Sequence, residues 1–290
     1  MSQHFKMTKR TKKKLVTLIL TIIVLSVGYL QDQYFDSYDS EYQSGPVSPQ
    51  ENSSAEKMPE PDSQTDGFNP MGGLTHLDLS DIPAYDGSEE YCVINSNEPW
   101  ITENTTEAFE SYSELDSLGR CGPAYANVCQ ELMPTEKRES ISEVKPSGWH
   151  NQKYDFVDNG GFVYNRCHLI AFQLCAENAT RTNLITGTRQ MNVAMIPFEN
   201  MIADYVKETG NHVLYRVTPI FEEDGHSVVT GTSAGIISNT ADSSGNLLPS
   251  GVLMEAKSVE DDEICFNVFI YNAQDGVEFD YATGENWAAE

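Results

Sequence analysis

Arg166 and His168 stand two residues apart in Asn165-Arg166-Cys167-His168, between the apolar runs Gly161–Tyr164 and Leu169–Phe172. In an extended segment that spacing places both side chains on one face. A guanidinium so placed can grip a phosphate through two parallel hydrogen bonds, a geometry that lysine cannot match. An imidazole titrates near neutral pH and can take a proton from water. The chemistry these two types suggest is attack of an activated water on a phosphodiester. Such a reaction also needs charge neutralisation at the phosphate and help for the departing 3′-oxygen. Neutral oxygen donors follow at Asn183 and Asn192, and a carboxylate at Glu199. One or two protein oxygens suit a hard, largely hydrated ion such as Mg²⁺, which polarises a phosphoryl oxygen. Each asparagine alone is ordinarily a turn or cap residue; the ordered series carries the argument.

The elements that must position these groups can be read in outline. Gly161–Tyr164 alternates apolar and aromatic residues and predicts a strand. Pro197 to Gly210 predicts a helix, with Pro197 in its first turn, Gly210 as its cap, and Phe198, Met201, Ile202 and Tyr205 as its buried stripe. The expected order is therefore strand, loop, helix. Upstream, Tyr91–Ile94 predicts a short strand. Thr105–Leu118 predicts a helix on the spacing of Phe109, Tyr112, Leu115 and Leu118, and Ala124–Met133 predicts a second helix ended by Pro134. Asn211–Ile220, Gly251–Ala256 and Ile264–Tyr271 predict strands, with a long loop or hairpin at 227–250 and a solvated turn at Glu260–Glu263. His212, at a strand start, is expected to be a hydrogen-bonded sheet residue. The fold class expected is α+β, a mostly antiparallel central sheet flanked by helices.

The series Asn165-Arg166-Cys167-His168, Asn183, Asn192, Glu199 resembles the motif of the non-specific DNA/RNA endonucleases built on a ββα-metal core. That motif is usually Asp-Arg-Gly-His, then two asparagines nine residues apart, then a glutamate on the next helix. The likeness runs from about Ile82 to the C-terminus. It is greatest to the Gram-positive branch that includes membrane-bound DNA-entry nucleases, on Arg-Cys-Gly at 120–122, Met-Pro-Thr at 133–135, Lys-Pro-Ser-Gly-Trp at 145–149 and Gly-Asn-His-Val-Leu-Tyr-Arg at 210–216. The resemblance implies that His168 is the general base, Arg166 the phosphate contact and Asn192 the direct ligand of one Mg²⁺, with Mn²⁺ as a substitute. It implies that Glu199 and Asn165 hold metal-bound waters and that Asn183 steadies the site. Arg181 and Arg189 are expected to add contacts to the nucleic-acid backbone, which position without reading sequence. Two departures stand out. Asn165 replaces a charged Asp, which weakens the pull on a cation, and Cys167 replaces a glycine. Cys167 is expected to be buried or disulfide-bonded, since phosphodiester hydrolysis needs no thiol.

Charge and compartment complete the reading. Residues 1–30 hold six Lys or Arg, no acid, and the apolar run Leu15–Leu30, the pattern of a signal anchor or signal peptide. Sixteen residues rise roughly 24 Å as a helix, slightly less than a hydrocarbon core of about 30 Å. An uncleaved anchor with its basic end cytoplasmic is preferred, which puts the protein on the cell membrane facing outward, or secreted. Residues 31–80 are Ser-, Gln-, Pro- and acid-rich and read as a disordered spacer; 81–290 reads as the endonuclease domain. Beyond residue 30, 12 basic residues face 44 acidic ones, a net of −32. Ten of those 12 fall between Arg120 and Arg216 alongside ten acids, so the motif lies in a locally neutral segment of an acidic chain. Six cysteines allow up to three disulfides in an exported protein. Partners expected are DNA, with RNA left open, without base preference, since no base-reading module is present. The alternative is a surface receptor for DNA uptake that keeps the fold with little catalysis. A disulfide-rich adhesin would leave the ordered motif unexplained.

Overall fold

The computed structural model describes residues 82–223, 226–228 and 245–289, all within one compact unit, Pro59–Glu290. The expected anchor, the spacer and most of the 227–250 loop lie outside the described residues. In chain order the elements are β1 (Tyr91–Val93), β2 (Phe109–Tyr112), β3 (Ala124–Val128), β4 (Tyr164–His168), the four-residue α1 (Phe172–Cys175), β5 (Leu184–Thr188), α2 (Arg189–Thr209), β6 (Val213–Glu223), β7 (His226–Val228), β8 (Gly251–Ser258), β9 (Cys265–Tyr271), β10 (Val277–Phe279) and β11 (Asn286–Ala288).

Seven strands form one sheet in the order β1-β9-β8-β6-β3-β2, with β7 paired to β6, and every pairing is antiparallel. Alternation along the strands sends side chains to two faces. Val213, Tyr215 and Val217 of β6, Ala124 and Ala126 of β3, and Met254 of β8 join Met191, Met195, Ile202 and Val206 of α2 in the main core. The opposite face carries Leu214, Tyr125 and Ile101. It also holds a fully buried ion pair, Arg216 Nη2 to Glu255 Oε2 at 2.8 Å. Glu255 Oε1 accepts a 2.8 Å bond from the Trp100 amide, and the Arg216 guanidinium lies 5.6 Å from the Tyr125 ring centre. That face is covered by the irregular chain around 94–107, so helices do not flank the sheet on both sides.

Several elements differ from expectation. Phe109–Tyr112 and Ala124–Val128 are strands and not helices: all five residues of β3 are buried. A strand covered on both faces loses its alternation and cannot be told from a helix by pattern. The Phe109–Tyr112 spacing at i, i+3 is a coincidence of an edge strand that pairs with β3. The long helix begins at Arg189, two turns before Pro197, which lies inside it. Thr188 caps its start by accepting from the Met191 amide at 3.0 Å. Gly210 ends it at φ 75°, a left-handed conformation that favours glycine. The buried face runs through Met195, Glu199 and Ile202, while Met201 is exposed. All six cysteines are free thiols, and Cys167 is fully buried. His212 pairs with Glu260 at 2.6 Å, as a sheet-end residue should.

Candidate active site

Apart from the large sheet, β4 and β5 form their own antiparallel ribbon, with Asn165 opposite Gly187 and His168 opposite Leu184. Helix α2 follows β5 directly. This is a strand-strand-helix unit, and it carries six of the eight predicted residues: Asn165, Arg166 and His168 on β4, and Arg189, Asn192 and Glu199 on α2. The motif therefore lies on the strand itself and not in a loop after it.

The connection between the two strands is pinned at its base. Asn183 is wholly buried; its Oδ1 accepts from the Ile170 amide at 2.8 Å and its Nδ2 donates to the Ile170 carbonyl at 2.9 Å. The Leu169 amide donates to the Asn183 carbonyl at 2.9 Å. The amide of Asn183 thus touches backbone only, and the residue acts by positioning.

What this loop presents is the carbonyl of Asn178, 2.8 Å from His168 Nε2. A carbonyl can only accept, so Nε2 carries the proton. His168 Nδ1 lies 3.2 Å from Arg138 Nη2, and a guanidinium can only donate, so Nδ1 presents its lone pair. The ring is thereby fixed in one tautomer with a single basic nitrogen. Burial, and secondly the Arg138 charge, hold its pKa down at about 3, so His168 is neutral at physiological pH.

Arg138 also acts on Glu199. Burial raises that carboxyl to about 8, against the downward pull of Arg138. The fields of Glu199 and Arg189 both reach the Cys167 thiol, which places these two side chains against the α2-facing side of β4. Asn165 shares that side by strand alternation, and Asn192 shares the Glu199 face of α2 by its seven-residue spacing. Tyr215, under the Glu199 field, has a buried hydroxyl with no hydrogen-bond partner.

Cys167 fits because position 187 has no side chain. A Cβ on Gly187 would come within 2.4 Å of the Cys167 Sγ and 2.3 Å of Met191 Cε. The extra volume on β4 is accommodated by glycine on β5.

Two expectations need revision, and one residue was not anticipated. The Arg166 guanidinium does not point outward as a free phosphate fork. Its Nε donates to the Val144 carbonyl, its Nη2 donates to the Ser142 carbonyl at 2.7 Å, and its plane lies 4.3 Å from the Trp149 ring centre. It ties down the segment that follows Arg138. Arg189 is buried at 8 % exposure, beneath β4 and not on an open surface, whereas Arg181 is exposed. Arg138 itself was missed. It lies 30 residues before His168 in the polar stretch Thr135–Ser142, where no periodicity or motif marks it; a cation in a locally neutral segment was the only available signal.

Among the described residues no group of three His, Cys, Asp or Glu side chains could hold a metal ion. The donors at hand are the amides of Asn165 and Asn192 and the Glu199 carboxyl, all oxygen. That set does not suit a soft metal, but it fits a hard, hydrated divalent cation. The Glu199 carboxyl, raised by burial, fits one as well.

Comparison with known proteins bears on the fold. Residues 100–231 match the model of the DNA/RNA non-specific endonuclease family. The fold is similar to NucA from Streptococcus agalactiae with magnesium ion bound (TM-score 0.56, 22 % identity, covering 73 % of this chain and 92 % of that one). The same protein with no metal bound gives TM-score 0.56 and 23 % identity over 79 % of this chain and 100 % of that one. Sda1 nuclease with bound zinc gives TM-score 0.54 and 24 % identity over 73 % and 100 %. In its ββα unit and antiparallel sheet, and over residues 100–231, this chain is similar to the DNA/RNA non-specific endonucleases of the ββα-metal fold.

Proposed function

We propose that the protein hydrolyses phosphodiester bonds of DNA, and of RNA, with His168 as general base and one divalent cation, Mg²⁺ or Mn²⁺. The observation that carries this reading is the His168 ring. Its Nε2–H is held on the Asn178 carbonyl, and the one free lone pair, at Nδ1, faces a guanidinium.

In the working site Arg138 turns from Nδ1 to the scissile phosphate, where its planar fork can hold two oxygens. Nδ1 is then open to a water. As that water attacks phosphorus, its proton passes to Nδ1, a phosphorus–oxygen bond forms, and the bond to the 3′-oxygen breaks. The Asn178 carbonyl stabilises the imidazolium that results, as a hydrogen-bond acceptor for Nε2–H. A neutral base in a buried setting waits in its reactive form, so no proton need first be removed. Asn192, with Asn165 and Glu199 through water, would hold the cation. When bound, it supplies charge neutralisation at the phosphate and support for the departing oxygen. Arg166 and Asn183 keep the two loops in place. Arg181 is the exposed cation available to a neighbouring phosphate. The N-terminal basic and apolar segment would hold the enzyme outside the cell, on the membrane or released from it.

Plasmid degradation by the full chain tests this, with Mg²⁺, with Zn²⁺ and with a chelator. Cleavage that needs the divalent ion and falls at least about a hundredfold in His168→Ala is the expected result. Intact plasmid under every metal condition would favour the DNA-uptake receptor instead. Cleavage by His168→Ala within about tenfold of the parent would remove His168 from the role of base.

A further inference from the structure

Behind the start of α2 lies a pocket of about 460 Å³ that the nuclease reading does not use. Its lining includes four aromatic residues, Tyr85, Phe279, Tyr281 and Trp287, and two acidic ones, Asp275 and Glu278. No lysine or arginine lines it. Trp287, on β11, is 48 % exposed. We infer that this pocket binds a small organic cation, an ammonium or quaternary ammonium group, between the rings and the two carboxylates.

The carboxylates are aimed by the rings themselves. Tyr85 Oη donates to Asp275 Oδ1 at 2.9 Å, and Trp287 Nε1 donates to Glu278 Oε2 at 2.8 Å. The second oxygen of each carboxylate takes no part in these bonds. The walls are also fixed from outside. Gln190 on α2 donates from Nε2 to Tyr85 Oη at 2.7 Å, accepts at Oε1 from the Asp275 backbone amide at 2.8 Å, and donates from its backbone amide to Gln274 Oε1 at 3.1 Å. Tyr281 Oη is held on the Asn272 carbonyl at 2.7 Å. Preformed walls bind without first having to order.

The lining chemistry selects the occupant. Two carboxylates with no balancing cation oppose a phosphate or a carboxylate ligand. A neutral apolar ligand would gain from the rings but would strip water from the carboxylates for no return. A cation is attracted both by the faces of aromatic rings and by the carboxylates. The volume exceeds that of a trimethylammonium head, leaving room for the chain that carries it.

Choline chloride, titrated calorimetrically into the full-length protein against equal sodium chloride, is the probe. Its uncharged isostere 3,3-dimethylbutanol is the control. The expected result is saturable choline binding, with the isostere roughly tenfold or more weaker, and a comparable loss in Trp287→Ala and Asp275→Asn, the size of one ring or charge contact. Both positions are exposed, and unchanged plasmid cleavage by the two variants would show that they fold. Equal binding of choline and the isostere, or binding unaffected by both substitutions, would overturn the inference. So would an absence of saturable binding, or displacement of choline by an oligonucleotide, which would make the pocket part of the nucleic-acid path.

Discussion

The two buried titrating groups of the site make opposite demands on pH, and the metal-free protein should show both. His168 has its pKa lowered from 6.5 to about 3. Its contribution is complete above pH 6.5 and is lost as pH falls toward 3, because the unfolded chain takes up the proton first. Glu199 is raised from 4.5 to about 8. Here the folded state binds the extra proton, so stability is complete below pH 4.5 and is lost as pH rises toward 8. Each effect has a slope of about 1.4 kcal/mol per pH unit and a full size on the order of 5 kcal/mol. Between pH 4.5 and 6.5 the two slopes cancel. Above 6.5 only Glu199 acts, and the loss by pH 8 is about 2 kcal/mol. The assay is urea unfolding in a chelator from pH 4 to 8.5 for the parent, His168→Gln and Glu199→Gln, read as differences so that the other carboxylates drop out. Glu199→Gln should gain on the parent by about 2 kcal/mol from pH 6.5 to 8, and His168→Gln by about 3 kcal/mol from pH 6.5 down to 4.5. Parallel curves for the parent and Glu199→Gln above pH 6.5 would refute a buried carboxyl held neutral beside Arg138.

Three further outcomes follow from the geometry. Arg138→Ala should lower the cleavage rate by about a hundredfold or more and, by removing a repelling charge, raise the His168 pKa seen by NMR titration; an unmoved imidazole resonance would contradict the 3.2 Å contact. Gly187→Ala must force Cys167 and Met191 apart, at about 1–3 kcal/mol in denaturant titration, and the double variant Cys167→Gly/Gly187→Ala should recover much of it. Glu255→Gln leaves Arg216 buried with a neutral partner and should cost about 3–5 kcal/mol, seen as a lower Tm with little change in metal affinity.

The placement of the candidate site residues on one strand and one helix was legible because it is local. Asn165, Arg166 and His168 are fixed on one strand by alternation, and Asn192 and Glu199 on one helix by spacing. Central strand β3 was not legible, because burial on both faces erases the alternation that distinguishes strand from helix. The start of α2 was hidden by Pro197, whose preference for a first turn suggested a later start than the Arg189 observed; only the Thr188 cap and the antiparallel β5 place it. The work of Arg166 was misjudged for a different reason. A motif specifies a guanidinium, but its acceptors, the Ser142 and Val144 carbonyls and the Trp149 face, come from a segment more than 15 residues away. Arg138 is nonlocal in the same way, and nothing near it in sequence announces its meeting with His168.

The thiol beside His168 has one more consequence. Cys167 is fully enclosed between β4, Gly187 and α2, and burial pushes its ionisation well above that of an ordinary thiol. An alkylating reagent can reach it only while the helix lifts from the ribbon. Its labelling rate, followed by mass spectrometry beside the exposed Cys265, is therefore a clock for local opening of the catalytic unit. Ligands that clamp α2 onto β4 would slow that clock without any need to observe cleavage.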